Sequence, residues 1–235
     1  MARRPRVHYP GALYHVISRG NQRQRVFKDD PDQRRFETLL SETVKRHALT
    51  LYAYVLMPNH FHLLLEVSRA PLSKAMQSLL YRYTSYYNRR YRKIGHLFQG
   101  RYKAILCDRD SYLMELIRYI HLNPVRAGMV KEPKLYRWSS HGEYLRGRSA
   151  RGIAVDQGLK LWGAQRGQAI KAYQRFVREG LEGGHQEEYY EVKEQQYLGG
   201  DEFVEVVHRV IDDQEETRPV KITMAEVLQE IVRGT

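Results

Sequence analysis

LTLYAYVLMPNHFHLLLEV, residues 49–67, reads as two strands and the turn between them. Leu49 to Met57 carries the apolar, β-branched and aromatic residues of a strand. Pro58-Asn59 breaks it, and Phe61 to Val67 resumes it. Upstream, Ala12 to Arg19 (ALYHVISR) alternates well enough for another strand and ends at the turn signal Gly20-Asn21. Asp30-Pro31-Asp32-Gln33 then opens a helix, with Asp30 as N-cap, Pro31 at the first helical position and Gln33 completing a capping box. Phe36, Leu39, Leu40 and Val44 follow at helical spacing. Downstream, Pro71-Leu72-Ser73 starts a long helix from Lys74 to about Lys93, stopped by Gly95. Arg101 to Cys107 is a fourth strand. Asp110 caps a helix over Ser111 to Leu122 that ends near Asn123-Pro124. The order β-α-β-β-α-β-α predicts an α+β fold: a ferredoxin-like, four-stranded antiparallel sheet with its helices on one face.

Composition divides the chain. Residues 1–150 hold 28 Lys and Arg against 11 Asp and Glu, a net of +17, whereas residues 151–235 hold 11 against 16, a net of −5. A basic first part suits a polyanion, and nucleic acid is the commonest. We therefore expect a basic domain over 1–150, the one that meets nucleic acid and whose catalytic residues are read below, and an acidic, helical C-terminal appendage over 151–235. The appendage would have helices over Leu159 to Gly180, Phe203 to Ile211 and Met224 to Val232. The single cysteine, Cys107, excludes an intramolecular disulfide framework and a cysteine-built zinc ribbon. No apolar run approaches the roughly 18 residues of a membrane span. The charged N-terminus has no apolar run behind it, so it is not a secretory signal. These features predict a soluble intracellular protein without a membrane partner.

The strongest chemical signal is His60-Phe61-His62. Alternation on a strand puts the two imidazoles on one face, about 7 Å apart, where they can converge on one cation. An arbitrary His-x-His is more often a pair of satisfied histidines; here the pair sits at a strand entrance in a basic protein. With no thiolate set available, the other ligands would be oxygen or further imidazole, which points to Mg²⁺ or Mn²⁺. The helix before Pro124 places Tyr119 and Asn123 four residues apart on one face. Laid against the sheet, it would bring Asn123 as an oxygen ligand and Tyr119 over a bound phosphate. The plainer alternative makes Tyr119 a packing residue and Asn123 a helix terminator.

MPNHFHLLLE (57–66) followed by RYIHLNPVRAGMV (118–130), with LYHVISRGN (13–21) and WSS (138–140), resembles the single-tyrosine HUH transposases, in particular the REP-associated tyrosine transposases. The resemblance covers roughly residues 5–145. It implies a ferredoxin-like fold, His60 and His62 as ligands of a divalent metal, Tyr119 as nucleophile and, less firmly, Asn123 as third ligand. The activity it implies is metal-dependent nicking and rejoining of single-stranded or hairpin DNA through a 5′-phosphotyrosine link, in DNA transposition or the mobilisation of REP repeats. Such a protein would work as a monomer or homodimer in a prokaryotic cytoplasm, at the nucleoid. A helix-turn-helix expected beyond the appendage would be absent or incomplete in a chain ending at Thr235.

From Val67 to Cys107 there is no carboxylate, while nine basic residues alternate with tyrosines. Arginine binds phosphate, and aromatic rings stack on unpaired bases. This stretch supplies the expected DNA contacts Arg82, Arg89, Arg90, Arg101 and Lys103. Arg19 and the N-terminal Arg3, Arg4 and Arg6 add to them. Two competing readings stay open: a non-catalytic DNA-binding protein of the same fold, and a metal nuclease that activates water, with Tyr119 structural.

Overall fold

The computed structural model describes residues 7–182 and 197–216. Strands β1 (Leu13–Arg19), β2 (Thr50–Met57), β3 (His60–Glu66), β4 (Lys103–Cys107) and β5 (Tyr197–Leu198) form one sheet in the order β2-β3-β1-β4-β5. The first four are antiparallel, as the element order requires; β5 adds a short parallel edge to β4. The hairpin of residues 49–67 is therefore β2 and β3, with Met57 paired to His60 across the Pro58-Asn59 turn. Cys107 sits in β4 between Leu13 of β1 and Leu198 of β5, and its thiol is buried.

Both faces of the sheet carry helices, not one. The reason is in the strands: β2 and β3 are buried almost end to end, so neither face is left for solvent. Helices α1 (Asp30–Arg46) and α2 (Leu72–Tyr91) cover the face to which Phe61 points. There Phe36 packs on Phe61 at 4.8 Å and on Tyr83 at 5.1 Å, ring to ring, and Phe27 completes the cluster. Full burial of each such side chain stabilises the fold by about 1.5–3 kcal/mol. Helix α3 (Arg109–Arg126) lies on β2 and β3 from the opposite face, that of His60 and His62. Trp138-Ser139-Ser140 seals the outer edge of β2: Leu56 N donates to the Trp138 carbonyl at 2.8 Å and Ser140 N to the Tyr54 carbonyl at 3.0 Å.

Helix ends differ from the sequence expectation in three places. Asp29, not Asp30, caps α1, its carboxylate accepting from Asp32 N. Helix α2 ends at Arg92 in the left-handed conformation, ahead of Gly95. Most consequentially, α3 starts after Asp108 and runs through Pro124 to Arg126. Proline takes one N–H from the ladder, the partner of the Ile120 carbonyl, and the helix nonetheless continues; one position earlier the Asn123 side chain bonds back to the Tyr119 carbonyl at 2.9 Å.

The acidic part does not separate at residue 150. Contacts group His8–Gly200 into one compact unit, and α7 (Asp201–Glu216) falls in a second. Within the first unit, after α4 (His141–Arg146), come helices α5 (Val155–Leu159) and α6 (Arg166–Glu182), α6 packing directly on α3. Gly180 permits this: a Cβ there would stand 2.6 Å from Arg118 Cδ and 3.0 Å from Leu122 Cδ1. The expected helix over Leu159 to Gly180 becomes a turn and α6, and that over Phe203 to Ile211 is α7. Met224 to Val232 and Arg3, Arg4 and Arg6 lie outside the described residues.

Candidate active site

Strand register assembles one wall of the site. Ile17 of β1 pairs with His62 and with Lys103 of β4, and Arg19 pairs with His60. Paired residues share a face, so His15, Ile17, Arg19, His60, His62 and Lys103 all point toward α3. His60 and His62 meet edge to face at 5.2 Å between ring centres. The Tyr119 ring sits edge-on to His62 at 5.8 Å and to His15 at 5.7 Å. Because α3 continues past Pro124, Tyr119, Asn123 and Arg126 recur on one helix face. The Arg126 guanidinium lies 5.4 Å from the Tyr119 ring centre. His60, Tyr119, Asn123 and Arg126 then line an open cleft of about 630 Å³, closed on one side by Gly180 and Leu181 of α6.

The electrostatics favour neutral imidazoles. Burial, aided by the Arg19 charge, holds His60 down to about 4. Burial and then the neighbouring His15 and His60 rings keep His62 well below the usual histidine range. A neutral imidazole is the form that binds a cation. Hydrogen bonds identify the free nitrogen of His60. Asn59 Nδ2 donates to the Arg23 carbonyl, which turns Asn59 Oδ1 toward His60 Nδ1 at 2.6 Å. The ring must donate from Nδ1, so the Nε2 lone pair is left. Asn123 uses Nδ2 on the helix carbonyl, so Oδ1 is the atom that could hold a cation. Two imidazoles and one amide oxygen, all uncharged, suit a divalent cation with open positions. Among the described residues, no group of three or more His, Cys, Asp and Glu is placed to hold a metal ion. Burial raises the Tyr119 phenol, while the Arg126 charge and a hydrogen bond from Asn123 oppose that rise.

The expected DNA contacts divide by face. Arg19 and Lys103 are exposed on the imidazole face, and Arg101 is exposed just before β4. Arg82, Arg89 and Arg90 lie on α2, across the sheet. There Arg82 pairs with Glu42, and Arg90 with Asp29 at 2.6 Å and Asp32 at 2.5 Å. The α2 tyrosines are largely committed to the protein: Tyr83 and Tyr87 are buried, and Tyr86 and Tyr91 bond Asp32. Tyr81 is exposed. The sequence reading had no role for His15 or Arg126. His15 becomes visible only when β1 is paired with β3. Arg126 stands seven residues after Tyr119, a helical signal masked by Pro124.

The imidazole pair on β3 is thus faced by a phenol on the helix packed across it. Residues 9–123, just under half of the chain, match the family model described as "Transposase IS200 like". The fold of the chain is that of a solved REP-associated tyrosine transposase bound to a REP hairpin, with a TM-score of 0.54. That protein is 16% identical, over 65% of this chain and 90% of the other. A Deinococcus radiodurans protein described as a "putative transposase" is 18% identical over 51% of this chain and 95% of its own, with a TM-score of 0.37. No curated protein matches the sequence. No helix among the described residues is long and apolar enough to cross a membrane.

Proposed function

We propose that this protein nicks and rejoins single-stranded, hairpin-bearing DNA, with Tyr119 as the nucleophile and His60, His62 and Asn123 holding Mg²⁺ or Mn²⁺. The observation that carries the reading is the Tyr119 phenol, packed edge-on against His62 and sharing one cleft with His60, Asn123 and Arg126. The cation would supply positive charge to the phosphodiester, whose own charge otherwise repels a nucleophile. The Tyr119 oxygen attacks phosphorus and loses its proton. The bond from phosphorus to the 3′ oxygen breaks, and that oxygen leaves as a hydroxyl. One phosphoester replaces another, so the reverse attack rejoins the strand without an energy source. Arg126 faces the same space and opposes the charge that gathers on the phosphate. Arg19, Arg101 and Lys103 extend the basic surface from the site along the sheet, a path for a DNA backbone. A hairpin substrate is chosen because the solved neighbour of this fold is bound to one. The work would be done by a monomer or homodimer on the nucleoid of a prokaryotic cytoplasm.

The test is incubation with a pool of single-stranded oligonucleotides carrying imperfect hairpins, with Mg²⁺ and separately with Mn²⁺, followed by a denaturing gel. Wild type yields a protein–DNA adduct that resists denaturation, and Tyr119→Phe yields none. Cleavage that persists in Tyr119→Phe would show a water-activating nuclease. Binding with no cleavage under either cation would show a passive DNA-binding protein.

A further inference from the structure

We propose that His15 is the positioning residue of the metal pair: it accepts the Nδ1–H of His62 and so fixes the tautomer that leaves the His62 Nε2 lone pair for the cation. The inference rests on the metal-site reading above and adds to it a residue outside the ligand set.

His15 Nε2 lies 2.8 Å from His62 Nδ1, with the ring centres 5.1 Å apart and 24° between the ring planes. Both side chains are buried, and an imidazole that binds a cation is the neutral form. Two neutral imidazoles at hydrogen-bond distance share one proton, so one ring donates and the other accepts. If His15 donated, His62 would accept at Nδ1 and carry its own proton on Nε2, with no lone pair for a metal. If His62 donates, its Nε2 is bare and His15 holds its proton on Nδ1. Only this second arrangement makes His62 a ligand. It also matches His60, whose Nδ1–H is taken by Asn59. Each imidazole of the pair therefore has a dedicated acceptor on its inner nitrogen, which is the usual way a metal-binding histidine is oriented. The strand register makes the contact obligatory. Ile17 pairs with His62, which brings His15, two residues along the same face of β1, alongside the His62 ring. The Tyr119 ring edge touches both histidines, so the bonded pair is also the floor on which the phenol rests.

The experiment is long-range ¹H–¹⁵N spectroscopy of histidine-labelled full-length protein, first alone and then with Zn²⁺ as a diamagnetic probe. The proposal expects His62 protonated on Nδ1 without any cation, with Zn²⁺ moving Nε2 of His60 and His62 and neither nitrogen of His15. Mn²⁺ affinity, read by the free-ion electron resonance signal, is then compared in two variants. His15→Gln retains a carbonyl acceptor and binds within about threefold of wild type. His15→Leu lacks one and binds about 10–100-fold more weakly. A His62 protonated on Nε2 overturns the proposal, as does a His15 nitrogen that shifts like a ligand. Wild-type affinity in His15→Leu, or equal losses in both variants, overturns it as well. The tautomer is read without metal and without substitution. Failure of wild type to bind Mn²⁺ would sink the metal reading, while the tautomer result would still decide the role of His15.

Discussion

Helix α3 presents two histidine–tyrosine clusters, and they are built from the same residue types. On the cleft side, Tyr119 meets His15 and His62, with His60 beside them. Two residues further on, His121 turns inward to Tyr173 of α6, Ser140 and His141. In this second cluster His121 Nε2 bonds Ser140 Oγ at 2.7 Å, His121 Nδ1 bonds the Tyr173 hydroxyl at 2.8 Å, and His141 Nδ1 bonds the same hydroxyl. Both nitrogens of His121 are used, and the ring is sealed from solvent. In the first cluster the inner nitrogens are used and the outer ones are left over. Burial lowers the histidines of both clusters, so a shifted pKa does not tell them apart. What separates a site from a core is bonding capacity that the protein itself leaves unspent.

The largest effect that tests this contrast is an exchange of phenotypes. His60→Ala should abolish adduct formation while unfolding free energy, measured in urea, changes by less than about 1 kcal/mol. His121→Leu should cost about 1–3 kcal/mol, because Ser140 and Tyr173 lose a partner in a buried place. Its remaining folded protein should still cleave. The reverse pattern would mean that the two clusters have been assigned the wrong way round. A second, smaller effect concerns pH. Burial holds His141 near 4, below the value of about 6.5 expected in the unfolded chain. Between those values the unfolded chain takes up a proton that the folded chain refuses, so stability falls as pH falls from about 6.5 to about 4. The urea midpoint of wild type should drop over that window, and His141→Gln should flatten the drop. A midpoint indifferent to pH there would contradict the sealed cluster. The smallest effect is on salt dependence. Arg19→Gln and Lys103→Gln should each reduce the slope of log affinity against log salt for single-stranded DNA by about 0.7. Arg82→Gln and Arg90→Gln should leave the slope unchanged, since α1 carboxylates already answer those charges.

Much of this was legible in the sequence. The hairpin of 49–67, the shared face of His60 and His62, and the helix that carries Tyr119 follow from periodicity and turn chemistry alone. What was hidden depends on contacts between distant segments. The carboxylate-free run from Val67 to Cys107 looked like a bare basic surface, yet Glu42, Asp29 and Asp32 reach it from another helix. Pro124 was read as a stop, which removed Arg126 from the helical frame. The acidity of residues 151–235 marks them in the sequence as a helical appendage. Its first long helix instead supplies a wall of the cleft, with Phe176 under the Arg118 guanidinium at 4.1 Å. Helices on one face were expected from the order of elements, but the number of faces to cover is set by how apolar the strands are.

Cys107 stands at the last position of β4, on the same face of the sheet as Lys103 but at the other end of the strand. Burial pushes its thiol up to about 12, and the side chain is 1% exposed, locked between two neighbouring strands. Since it is the chain's only sulfhydryl, a maleimide dye added to the native protein can react only as fast as β4 comes away from its neighbours. The molecule thus carries its own stopwatch for sheet opening. Labelling should be slow in native buffer and quicken with urea in step with unfolding; prompt labelling in native buffer would mean that this edge of the sheet breathes freely.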